Sequence, residues 1–179
     1  MQKSMTKKLC LSAVMAAFYV GFDYLATVFS SVFSGTIKIS LSGFPIIIAA
    51  IVAGPIWGMA SGFVGALIGQ MITYGFTATT LLWVLPAVIR GAATGLLFIA
   101  FKRSCKTYIL AIETVISSLL VTACNTFVMY VDSKLYNYYS YAYVFGGLTP
   151  RILSGIITAV VFAVLLPPII KALKKNMKI

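Results

Sequence analysis

Four ionisable side chains fall inside segments that otherwise hold only uncharged residues: Asp23, Arg90, Glu113 and Arg151. Arg90 is the sharpest case, with ten uncharged residues (Thr80 to Ile89) before it and eleven (Gly91 to Phe101) after it. An ionisable group in an apolar span is costly, and it faces protein or a water-filled cavity. A guanidinium stays charged and offers five donors in a planar fork that suits a carboxylate. Asp23 could pair with one arginine as a staple between helices, which would still leave the other for an anion from outside the chain. The chemistry read here is recognition rather than bond-making. The chain has no histidine, which removes the usual proton shuttle and metal ligand. Cys10, Cys105 and Cys124 are scattered without metal spacing. No phosphate-binding loop, HExxH or GxSxG pattern occurs.

Depth along a helix sorts these groups by their distance from the nearest lysine cluster. Arg90 lies ~18 Å from Lys102, Asp23 ~22 Å from Lys8, Asn125 ~28 Å from Lys106 and Arg151 ~30 Å from Lys171, at 1.5 Å per residue. All four belong to one half of the bundle. Glu113 lies only ~10 Å from Lys106 and is expected to answer the basic cluster there. Trp83, Tyr74 and Phe76 could stack on flat rings. Thr77, Thr79, Thr80 and Asn125 could bond to polar edges, and Lys38 adds a cation in the first loop. The expected ligand is a planar, anionic small molecule.

The elements that must hold these groups are helices in lipid. The chain has 179 residues, of which 61% are hydrophobic and 9% charged. A soluble domain is about a quarter charged. One integral membrane domain of six helices is expected over 1–179, at roughly 20 residues per span. The helices are read at 9–33, 43–56, 57–74, 80–102, 108–131 and 149–173. The second and third are read as short, because Gly54 and Pro55 interrupt them. Glycines at 54, 58 and 62, then 65 and 69, form a small-residue ridge that lets helices approach closely. The basic, then apolar N-terminus is read as a retained first helix rather than a cleaved signal.

Charge sets the expected orientation. Lys3, Lys7 and Lys8, then Lys102, Arg103 and Lys106, then Lys171, Lys174, Lys175 and Lys178 all fall on one side of six spans. The positive-inside rule makes that side, and both termini, cytoplasmic. The net charge of +11 is thus a topology signal and gives no reason to expect nucleic acid. The opposite side carries three polar loops. The first, around Lys38, could form a short extended strand. The third is rich in hydroxyls and aromatics. The fifth holds five tyrosines from Tyr136 to Tyr143, either as an interfacial belt or as a lid.

Several stretches carry a family likeness. "AVMAA" puts Ala13 and Ala17 in an AxxxA spacing, "AAIVAGPIWGMASGFVGALIG" precedes a hydroxyl-rich loop and "VIRG", and "CNTFVMY" is followed after a loop by "LTPRILSGI". The chain resembles the S components of energy-coupling factor (ECF) vitamin transporters over nearly its whole length. Within them it is most similar to the folate group, through Gly75, Phe76 and Thr77, Asn125 and Thr126, and Pro150 and Arg151. It departs at Ala66 and Gln70, near where folate members often carry an acid.

The resemblance implies a small bacterial cell-membrane protein that captures a vitamin from outside, with no cofactor and no catalysis of its own. It implies partners: a transmembrane coupling protein docked on Ala13 and Ala17, and two cytoplasmic ATPases. Rotation of the whole S component would carry the ligand across. Arg90, Arg151 and Lys38 would meet ligand carboxylates, Asp23 and Asn125 a ring edge, and Tyr74 or Trp83 a ring face. Other readings are an S component for another vitamin or a nucleobase, a small lipid-modifying enzyme, and a channel. The enzyme would need a nucleophile–base pair. The channel would need a polar path to both faces, whereas the helix halves toward the lysine clusters read as uniformly apolar.

Overall fold

The computed structural model describes residues 2–32 and 41–177, and every regular element among them is helical. The expected strand around Lys38 lies outside the described residues. The helices are α1 (Gln2–Val32), α2 (Gly43–Ala53), α3 (Pro55–Tyr74), α4 (Thr80–Ala100), α5 (Thr107–Leu135), α6 (Tyr141–Phe145) and α7 (Leu148–Met177). Five stretches are long and apolar enough to cross a membrane: most of α1, then α3, α4, α5, and the run Tyr141–Leu173 that contains α7. Large apolar side chains such as Val14, Phe18, Phe63, Leu96, Leu120 and Val164 are exposed along them, as lipid contact requires.

Two expectations about length change. The third helix is not short: α3 has 20 residues, because Pro55 sits in its first turn, where the missing N–H costs nothing. Gly54 takes the break instead, with a φ of +110° that only glycine adopts easily. The fifth helix runs past 131 to Leu135, and this brings Asp132 into its last turn.

The short helix α2, with 11 residues, is buried from Pro45 to Ala53. A helix that is apolar all round belongs inside a bundle. Its Ile47, Ile48, Ile51 and Val52 join Leu11, Met15, Phe98, Leu110, Phe162, Leu166 and Ile170 in the main core. At ~16 Å it fills only half the height. It therefore plugs the half nearer the chain ends and leaves room above its amino end.

Glycine sets the closest approach, between α3 and α4. A Cβ on Gly62 would stand 2.5 Å from the Ala87 carbonyl oxygen, and one on Gly91 would overlap the Gly58 backbone. As numbers rise on α3 they fall on α4, so the two helices run antiparallel. Hydroxyls tie the other pairs. Ser12 and Ser61 sit 2.9 Å apart between α1 and α3, and Thr94 and Ser117 3.0 Å apart between α4 and α5. Thr114 donates to the Ala159 carbonyl of α7 at 3.2 Å.

That half of the bundle is therefore not uniformly apolar, although its buried hydroxyls are satisfied. Glu113 differs from expectation. It is fully buried, and neither carboxyl oxygen has a hydrogen-bond partner. Helical phase explains this: it lies three residues after Leu110 and four before Ser117, both fully buried, so it points inward and not toward the basic turn.

Candidate ligand-binding site

Above α2 the helices enclose three cavities that share walls. The largest, about 390 Å³, is lined by Gln70 and Tyr74 of α3, Thr77 and Thr79 of the turn, Trp83 of α4, Asp132 of α5, and Tyr136 and Tyr143 of the following segment. A second, about 220 Å³, shares Gln70 and Trp83 with it and reaches Tyr19, Ser42, Gly43, Arg90 and Asn125. A third, about 160 Å³, shares Arg90 and Asn125 with the second and reaches Arg151, Ser118, Thr122 and Ser154. Shared walls make one track, from an aromatic mouth to a floor with two guanidiniums.

The mouth is built by local bonding. The Thr77 N–H donates to the Thr80 hydroxyl at 2.8 Å, while the Thr80 N–H donates to the Thr77 carbonyl at 3.1 Å. This reciprocal turn closes α3 onto α4 and sets Thr77 and Thr79 in the wall. Asp132 then holds the opposite side. Its Oδ1 accepts from Trp83 Nε1 at 3.3 Å, and its Oδ2 accepts from the Tyr138 hydroxyl. That last bond raises the Tyr138 phenol above the ordinary tyrosine range, because ionisation would lose the donor. Tyr138 packs edge-on against Tyr143, with centroids 5.4 Å apart, and Tyr130 against Tyr139 at 5.5 Å. Lys134 lies over the Tyr139 ring, 4.3 Å from its centre.

At the floor, the guanidinium of Arg90 packs on the amino end of α2. A Cβ on Gly43 would stand 2.9 Å from its Cζ and Nε. The positive end of the α2 dipole and the arginine therefore face the same space. Pro86, one turn before Arg90, and Tyr19 complete that wall. Arg151 donates through Nη2 to the carbonyl of Val144 at 3.1 Å, which pins α6 to α7. Its Nη1 is buried without a partner. Neither cavity that Arg90 lines has a carboxylate in its wall.

Of the residues expected from the sequence, Tyr74, Thr77, Trp83, Arg90, Asn125 and Arg151 line this track. Phe76 does not; it is exposed on the turn. Asp23 lines a separate hollow of about 240 Å³ between α1 and α3, with Gly69 and Ile72. Tyr19 stands in electrostatic range of both Asp23 and Arg90. Lys38 lies outside the described residues. Ala13 and Ala17 occupy an exposed face of α1.

Asn125 and Arg90 share two cavities although residue counting sets them ~10 Å apart in depth. The Thr94–Ser117 bond pairs a residue six before the end of α4 with one ten after the start of α5, so α5 begins lower, and the long arginine side chain spans the rest. The residue missed from the sequence is Asp132, one of only three acids in the chain. That scarcity was the available signal, hidden by ending the fifth helix at 131.

The family model described as ECF transporter, substrate-specific component, matches residues 7–170. No curated protein matches the chain.

Proposed function

The chain belongs to the substrate-specific components of ECF transporters, and on that premise we propose that it captures folate or a related pterin from outside the cell. The observation that carries this reading is the pair Arg90 and Arg151, lining one cavity within the membrane-spanning bundle with no carboxylate in its wall. In this reading an anionic end of the ligand meets Arg90, Arg151 and the amino end of α2. Asn125 bonds to a polar edge, and Trp83 and Tyr74 cover a ring face. The termini face the cytoplasm. The exposed Ala13 and Ala17 face of α1 docks on a transmembrane coupling protein, and two ATPases drive release.

Equilibrium binding of the purified protein to a panel of labelled vitamins tests the reading. Folate is expected to bind, and Arg90→Ala is expected to weaken it at least tenfold while the protein stays folded. Preference for another vitamin or a nucleobase would replace folate but keep the transport role. A folded Arg90→Ala variant that binds as tightly as wild type would remove Arg90 from the site.

A further inference from the structure

We propose that Asp132 is a ligand-binding, specificity-determining residue, which accepts an N–H donor from the edge of an aminated flat heterocycle while Arg90 holds the anionic end of the same molecule. This rests on the reading of the track as a site for an aromatic anion, and it adds the end of the ligand that the arginines cannot recognise.

Asp132 is buried, and it lines the cavity of about 390 Å³ at the mouth. Three side chains donate to it: the Trp83 indole, the Tyr138 phenol and the Thr79 hydroxyl. All three are neutral, and a carboxylate offers about four acceptor positions, so about one stays open to the cavity. Among the described residues no lysine or arginine lines that cavity, and Lys134, two residues away, is engaged over Tyr139. The charge, which is costly to bury without a cation, is explained by a ligand that brings a donor to it.

The spacing completes the case. Trp83 to Arg90 on α4, and Asn125 to Asp132 on α5, each span seven residues, or ~10 Å. The track is negative at its mouth and positive at its floor. It suits an elongated molecule with an N–H donor at one end and an acid at the other, such as an aminated bicycle joined to a carboxylate-bearing arm. A lone nucleobase reaches only one of the two charges.

The test uses the full chain in detergent and three probes: folic acid, its analogue with the ring amino group replaced by methyl, and diaminopyrimidine. Wild type is expected to bind folic acid about tenfold or more tighter than the methyl analogue, the scale of one lost charge-assisted hydrogen bond. Asp132→Asn is expected to collapse that ratio toward one and to lose diaminopyrimidine. Equal weakening of folic acid and its analogue, with the ratio kept, marks a structural residue and overturns the proposal. So does a wild type that binds both equally, an outcome that needs no variant to fold. Binding of diaminopyrimidine without folic acid, lost in Asp132→Asn, sinks the folate reading and keeps Asp132. Binding of no probe sinks both.

Discussion

Gly43→Ala tests the floor of the site without removing any charge. The new Cβ would lie 2.9 Å from Cζ and Nε of Arg90, where carbon atoms normally sit about 3.5–4.0 Å apart. The guanidinium must therefore shift by about 0.6 Å or more. A fork aimed at a carboxylate loses at least one of its two bonds at that displacement. Charge-assisted hydrogen bonds contribute about 1.5–3 kcal/mol, so the affinity for folic acid should fall roughly 10- to 150-fold. The fold should hold, since alanine favours helix over glycine by up to about 1 kcal/mol. Quenching of Trp83 by the ligand reads the affinity, in a Trp57→Phe background that silences the other tryptophan. The decisive measurement is the cycle with Arg90→Ala. If Gly43 acts through Arg90, the double variant binds no worse than Arg90→Ala alone. Additive losses, or an unchanged Gly43→Ala, would refute the reasoning.

Other consequences are independent of the ligand. Glu113→Met replaces a carboxyl whose two oxygens are buried without partners, and should raise the unfolding free energy by about 1–3 kcal/mol. A lower melting temperature would show that Glu113 has a partner the bundle needs. Gly91→Ala drives a Cβ into the Gly58 backbone and should destabilise the α3–α4 contact by about 1–3 kcal/mol, read as earlier loss of helical circular dichroism on heating. An unchanged melting curve would place that contact elsewhere. Tyr138 should titrate later than an ordinary phenol, because its hydrogen bond to Asp132 raises it. The bond is then fully present below the ordinary phenol range and lost as pH rises through the raised value. Tyrosinate absorbance reads the lag, and Asp132→Asn should shorten it; a lag that survives would assign it to another residue.

Much of this arrangement was legible in the sequence because lipid simplifies the rules. A charge within an apolar run must be explained, so Arg90 and Arg151 drew notice before any geometry, as did Trp83 and Asn125. The glycine ridge of α3 likewise announced a close contact. What stayed hidden depended on rotation and ends. Asp23 and Arg90 have similar counted depths, yet Asp23 lies on the α1–α3 side, beyond Tyr19. Depth along a helix says nothing about azimuth across a bundle. Glu113 was misread for the same reason, since its facing follows from phase with Leu110 and Ser117 and not from nearness to Lys106. Asp132 was lost at a helix end, where four residues moved it from loop to wall.

The floor keeps its positive charge because none of the three acids lines the two cavities described at Arg90. Glu113 lies about one turn below the Thr94–Ser117 level, beneath the cavity, and Asp23 opens on another face. Asp132, at ~10 Å along the helices, attracts a guanidinium by only about 1.7 kcal/mol at an effective dielectric near 20. A ligand carboxylate at ~4 Å gains about 4 kcal/mol under the same screening. The difference favours the incoming anion over the protein's own acids by ~2 kcal/mol. Such a site holds its ligand against spontaneous release. In the proposed role, delivery then requires Arg90 and the amino end of α2 to part, since together they form the anion's strongest hold. Gly43 is where that separation would have to occur, because the missing side chain is what lets the two touch.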